Sequence, residues 1–263
     1  LLNEYFDYLM REEFIKKNPM NAVPTIKKSN YLAKQNKEVL PVCETITVFT
    51  DEEIEKFKAE AYKKYPSGKP KHNQASAYIL MLNTGLRTAE ALGLINSDID
   101  LEKKVMQIQR GVKEAQKRDG TERKSGREIV VGKLKIASSK RIVPLNETAI
   151  QAIIELRNER YFGEDAPLIP DADGNFTRPL NLRKRFYSIL DAAGIEKKGL
   201  HSLRHTFATK LVTGVRAEDG TVKALTPRQV ADLLGHTTSE ITELYYVKRN
   251  TDMLMGVTNG FEL

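Results

Sequence analysis

Between residues 105 and 145 the spacing of apolar residues changes from three or four to two, and this switch limits the folds open to the chain. Val105-Met106-Gln107-Ile108-Gln109 alternates as a strand does, residues 128–135 are rich in β-forming side chains, and Arg141-Ile142-Val143-Pro144-Leu145 makes a third run. Residues 111–126, between the first two runs, are charged and read as a mobile loop. On both sides the pattern is helical. Thr50-Asp51-Glu52-Glu53 is a capping box ahead of a helix to about Tyr65, and a second helix over 74–83 ends in Thr84-Gly85. A short third helix over 88–94 leaves Arg87 at a helix–helix junction. Beyond the strands, helices are expected at about 147–160, 181–193 (closed by Gly194), 201–213, 227–234 and 240–249. The one at 227–234 has Thr226 as its cap, Pro227 in its first turn and Gly235 just past its end. Residues 214–225 read as an insertion between helices. The predicted class is α+β, mainly helical, with one small antiparallel sheet.

The start of the chain forms a separate piece. Leu2, Tyr5, Phe6, Leu9, Met10 and Phe14 share a helical face over residues 1–17, which Asn18-Pro19 stops and Pro24 leads away from in extended form. So short a helix cannot bury such a face alone, and it is expected to close a domain that begins upstream. The boundaries expected are 1–28 for this helix and its exit, 29–44 for a linker, 45–249 for the main domain and 250–263 for a tail.

Charge narrows the class of partner. The chain of 263 residues carries a net +7, yet residues 103–141 alone hold thirteen Lys or Arg against four acids, a local +9 that leaves −2 for the rest. Such concentration is the footprint of a polyanion, most often nucleic acid. Lys113, Lys133, Lys140 and Arg141 are the candidate phosphate contacts, so affinity should fall with salt. Cys43 is the sole cysteine, which excludes an intramolecular disulfide and any cysteine-based zinc module. The longest apolar run, Ala77 to Leu82, is far too short to span a bilayer, and no membrane partner is expected. With no signal-like start, a cytoplasmic location is expected.

The chemistry lies in a sparse series: Thr84-Gly85-Leu86-Arg87 with Glu90, His201-Ser202-Leu203-Arg204-His205, Leu233-Leu234-Gly235-His236, and Tyr246 ten residues beyond. Two arginines can neutralise a phosphodiester through planar, permanently charged forks, histidines can move protons, and a phenolic oxygen can attack phosphorus. His201 and His205 lie four apart and would share a helical face, a spacing that also suits zinc. The run lacks the glutamate of a zinc-protease motif and puts a permanent cation between the rings, so no metal is expected there. Asp171-Ala172-Asp173-Gly174 matches only the first part of a calcium loop and reads as a turn. No phosphate-cradling Gly-rich loop occurs, so neither a nucleotide nor any other cofactor is implied.

From about residue 45 to 250 these motifs resemble the catalytic domain of tyrosine recombinases, of the kind found in integrases of phages and conjugative transposons. The segment ending Lys16-Lys17-Asn18-Pro19 is similar to the last helix of the core-binding domain that precedes catalysis in that family. The resemblance implies Arg87, His201, Arg204 and His236 as catalytic groups, with Glu90 supporting Arg87 from behind. Lys135, nine residues before Pro144, falls where the family's hairpin lysine protonates the leaving 5′ oxygen, with Lys133 and Lys140 as neighbouring alternatives. Tyr245 and Tyr246 both lie at the nucleophile's distance from His236 and point about 100° apart on a helix. Tyr246 is preferred because Val247-Lys248 follows it in the family's manner, although lysine stands where a histidine is usual. The implied activity is site-specific strand exchange through a 3′-phosphotyrosyl intermediate on double-stranded DNA, serving integration and excision of a mobile element. A homotetramer on DNA, accessory excision or DNA-bending factors and association with a bacterial nucleoid are implied with it. The tail, with Met253, Leu254, Met255, Val257 and Phe261, is expected to dock in trans on an adjacent subunit. Two alternatives stand beside this reading: a type IB topoisomerase, against which the tail argues, and a DNA-binding protein with a vestigial site, against which the complete set of basic groups argues.

Overall fold

Thr50 and Glu53 close the capping box that the sequence announces: Glu53 N–H donates to the Thr50 hydroxyl at 3.2 Å and Thr50 N–H to the Glu53 carboxylate at 2.8 Å. This starts α2, Asp51–Ala61. The computed structural model describes residues 2–12, 14–15, 17–22, 47–119, 122–133, 140–216 and 222–235. It divides into two compact units, Leu1–Pro41 and Val42–Leu263. In the first, α1 (Leu2–Arg11) is followed by a 3-10 turn at Pro19–Ala22. The helix ends earlier than expected because Phe14 N–H reaches back five residues, to Leu9 O at 2.9 Å, and leaves the helical path. The expected linker at 29–44 and tail at 250–263 lie outside the described residues.

The second unit is built around α3 (Ser76–Thr84), whose side chains are nearly all buried. A helix apolar on every side can sit only at the centre of a core. Packed on it are α5 (Glu147–Glu159), through Ala149, Ala152, Ile153 and Leu156, and α7 (His201–Thr213). Phe49, Phe57, Tyr78 and Phe186 join α2 and α3 to α6 (Pro179–Ala192), with ring centroids 5.3–6.4 Å apart. Burial of each such large side chain contributes about 1.5–3 kcal/mol. The Tyr78 hydroxyl, carried inside with its ring, donates to Leu182 O at 2.8 Å. α8 (Pro227–Leu234) packs on α7 through Val230 and Leu234, against Ala208 and Phe207. Its Thr226 cap and Gly235 terminus, at φ +66°, stand as the sequence indicates.

The class is α+β, mainly helical with a small antiparallel sheet, as expected, but the strands group differently. Instead of one sheet, the described residues form three antiparallel groups. β1 (Ile99–Asp100), β2 (Val105–Ile108) and β5 (Arg141–Pro144) make a three-stranded sheet, with Met106 opposite Val143. β3 (Arg110–Asp119) and β4 (Glu122–Lys133) make a long two-stranded hairpin, with Val112 opposite Val131, which takes in the expected loop at 111–126 and part of the strand expected at 128–135. Beyond its base, where Val112 is buried and Ile129 packs on the core, the ribbon's sequence is mostly charged and polar without apolar alternation, so that backbone pairing defines it and pattern reading passes it over. The insertion at 214–225 contains a third pair, β6 (Val215–Arg216) with β7 (Val222–Lys223). The short α4 (Thr88–Gly93) packs on β3, and the contact is close. A Cβ on Gly93 would lie 2.7 Å from the Arg110 carbonyl oxygen, so only glycine fits there.

A candidate anion site

Gly85 terminates α3 in the left-handed conformation at φ +63°, donating its N–H to Met81 O at 2.9 Å, and turns the chain at once into α4. Arg87 occupies the N-cap of α4 in extended conformation. Glu90, in the first turn, reaches back to accept from Arg87 N–H at 2.9 Å through one oxygen and from the Arg87 Nη1 at 2.7 Å through the other. The loop thus fixes both the backbone and the guanidinium of Arg87, whose side chain remains 36% exposed.

The second arginine arrives from α7. Arg204 is 2% exposed, and its Nη1 and Nη2 donate to Gly85 O at 2.7 Å and Leu234 O at 2.8 Å. Those two carbonyls sit at the ends of α3 and α8, where the helix dipole is negative and a cation is favoured. Arg87 Nη1 also lies 3.5 Å from Leu234 O, and Arg204 Nη1 lies 3.9 Å from Glu90. Both guanidiniums therefore converge on the end of α8, two residues before His236 in the sequence.

His201 opens α7 and is exposed. Partial burial, then the charges of Arg204 and Arg87, lower its pKa below the usual histidine value, while Glu90 opposes them. It is neutral near pH 7 and can accept a proton. The ring of His205 stands edge-on to it, with centroids 4.5 Å apart. Burial first, then His201 and Arg204, push the His205 pKa down to about 4, as befits a packed neutral ring. Among the described residues no group of three or more His, Cys, Asp or Glu is placed to hold a metal ion. Nor, among them, is any helix long and apolar enough to cross a membrane.

Of the residues singled out in the sequence, Arg87, Glu90, His201 and Arg204 are thus brought together. Lys113 on β3 and Lys140 ahead of β5 are exposed. Lys135, His236, Tyr245, Tyr246 and the side chain of Lys133 lie outside the described residues. Arg141 differs from expectation: its guanidinium is turned inward, not toward a DNA phosphate. Its side chain is 7% exposed, with Nε donating to Leu233 O at 2.7 Å and Nη1 and Nη2 to Glu90 at 3.2 and 3.0 Å. The physical reason is strand parity. Arg141 lies two residues before buried Val143 on the inner face of β5, and the exposed Ile142 lies between. The buried Glu90 responds accordingly: burial would raise its pKa, but the Arg141 and Arg87 guanidiniums outweigh this and hold it below the usual carboxylate value.

The sequence profile of the Phage integrase family matches residues 47–252. A tyrosine recombinase XerC-like protein of Caldanaerobacter subterraneus subsp. tengcongensis is 31% identical over 93% of this chain. Tyrosine recombinase XerC of Thermodesulfovibrio yellowstonii is 26% identical, also over 93%. The chain spans 59% of the first relative's length and 67% of the second's. Among solved structures, the Tn1549 transposon integrase in complex with a circular intermediate DNA has a similar fold, with a TM-score of 0.66 at 18% identity. That likeness covers 98% of this chain and 76% of the other. XerA recombinase also shares the fold, with a TM-score of 0.56 at 18% identity over 99% of this chain and 82% of its own.

Proposed function

The chain belongs to the Phage integrase family of tyrosine recombinases, and from that premise we propose that it is a DNA strand transferase that cuts and rejoins duplex DNA through a phosphotyrosyl ester. The observation that carries the reading is the convergence of Arg87 and Arg204, from different helices, on one helix end, with His201 on the helix that carries Arg204.

The scissile phosphodiester binds with its non-bridging oxygens toward Arg87 and Arg204, whose charge matches the extra negative charge that develops on phosphorus. The Tyr246 hydroxyl attacks phosphorus and forms a new P–O bond. A phenol, with a reference pKa near 10, attacks poorly while it keeps its proton, and neutral His201 is suited to accept it. The P–O5′ bond breaks, and Lys135 gives its proton to the departing oxygen, which leaves a 3′-phosphotyrosyl ester and a free 5′-hydroxyl. His236 adds a further donor to the phosphate. One phosphoester replaces another, so the 5′-hydroxyl of a second strand can reverse the step and complete an exchange without nucleotide hydrolysis.

Lys113, Lys133 and Lys140 contact the DNA backbone, and Glu90 acts from behind Arg87. The working assembly is a homotetramer on paired sites, aided by accessory excision or bending factors, in the cytoplasm of a bacterial cell on its nucleoid. Integration and excision of a mobile element is the task. The Tn1549 transposon integrase, solved with circular intermediate DNA, supports this by likeness of fold.

A nicked duplex that traps the covalent complex tests the reading. In EDTA, wild type and Tyr245→Phe should form an adduct that resists denaturation, while Tyr246→Phe should form none. An adduct with both variants would place the nucleophile elsewhere. None with wild type, unless divalent ions are added, would overturn the mechanism.

A further inference from the structure

Three guanidiniums share one buried carboxylate in this site. Glu90, 1% exposed, is bonded by Arg87 and doubly by Arg141, with Arg204 at 3.9 Å. Alone, a carboxylate so close to Arg87 and Arg204 would offset much of the positive charge they offer to a phosphate, and the more so for being buried. Arg141 removes that difficulty, because its own charge compensates Glu90 and leaves two positive charges in excess.

Its place in the chain adds a second role. Arg141 opens β5 directly after the segment that contains Lys135, and its Nε holds the carbonyl of Leu233, three residues before His236. One buried fork thereby ties the strand that follows the lysine, the helix that precedes the histidine and the carboxylate behind Arg87.

We propose that Arg141 is a positioning residue for strand cleavage: it neutralises and orients Glu90, so that Arg87 and Arg204 present their charge and their planes to the scissile phosphate, and it does not itself touch DNA. This rests on the phosphotyrosyl reading above. It also reverses the role that position in a basic stretch assigns to the same residue.

The test compares wild type, Arg141→Gln, Arg141→Lys and Lys113→Ala, with the urea midpoint of each measured first. Two quantities are then read on the nicked duplex: the single-turnover rate of adduct formation at saturating DNA, and the slope of log affinity against log salt. Arg141→Gln should lower the rate on the order of ten- to a hundredfold, the usual cost of losing a group that orients a directly acting one. Arg141→Lys, which keeps the charge without the fork, should fall between. Both should keep the wild-type salt slope, whereas Lys113→Ala should reduce it by about 0.9, one phosphate contact. On a duplex with a neutral methylphosphonate at the scissile position the Arg141→Gln loss should shrink, because there is less charge to match. A wild-type rate for Arg141→Gln, a slope reduced by either Arg141 variant, or an equal loss on charged and neutral substrates would overturn the proposal. If Arg141→Gln does not fold, Arg141→Lys decides by the same criteria. Absence of any wild-type adduct would instead count against the cleavage reading itself.

Discussion

His201 and His205 lie one turn apart on α7, yet their surroundings differ. His201 is exposed beside the two arginines, and His205 is packed behind it. Both have lowered pKa values, which makes two separate predictions about acid. If His201 accepts the phenolic proton, adduct formation should hold down to pH 6.5 and fall only below it, and His201→Gln should remove that limb of the rate profile. Stability should respond to His205. Its folded pKa is about 4, below the ordinary value of 6.5, so between those pH values the unfolded chain binds a proton that the folded chain refuses. Stability contributed by the neutral ring is therefore complete above pH 6.5 and declines as pH falls toward 4. Urea midpoints taken across that window should slope downward for wild type and flatten for His205→Gln; identical slopes would assign the acid sensitivity elsewhere.

At the scale of elements, the junction between α3 and α4 sets the site. Gly85 supplies the positive φ, and the space a side chain would need is filled: a Cβ there would lie 2.5 Å from Phe207 and 2.7 Å from Leu234. Gly85→Ala should cost about 1–3 kcal/mol of stability from backbone strain and overpacking. Because Gly85 O also holds Arg204, it should lower adduct formation even where the protein is fully folded. A variant with unchanged urea midpoint and rate would show that the turn is not needed. Helices were the legible elements, since caps and terminators such as Thr50, Thr226, Gly85 and Gly235 act locally and sit in the sequence as they act in the fold. Of the β3–β4 hairpin only the apolar end of β4 was legible. Residues 113–128 are nearly all charged or polar with no apolar alternation, so only backbone pairing distinguishes them from a loop.

For the whole molecule, what sequence conveyed about the site followed the same division. Arg87 and Arg204 could be singled out because their chemical roles restrict residue type, and Glu90 because the family resemblance puts it behind Arg87. That Arg141 joins them required knowledge of which face of β5 meets the core, a tertiary fact that its basic neighbourhood obscured. The proposed strand transfer requires a phenolic ester to DNA formed in an anion site of paired guanidiniums, and the attachment point can be read directly. Trypsin should release the covalent complex as the peptide Gln229–Lys248, which contains His236, Tyr245 and Tyr246. Tandem mass spectrometry of that peptide from the trapped nicked duplex is predicted to place a 3′-phosphoryl nucleotide on Tyr246, with Arg204→Ala giving little or none. Attachment to any other residue, or a DNA end carrying 5′-phosphate and no protein, would contradict it.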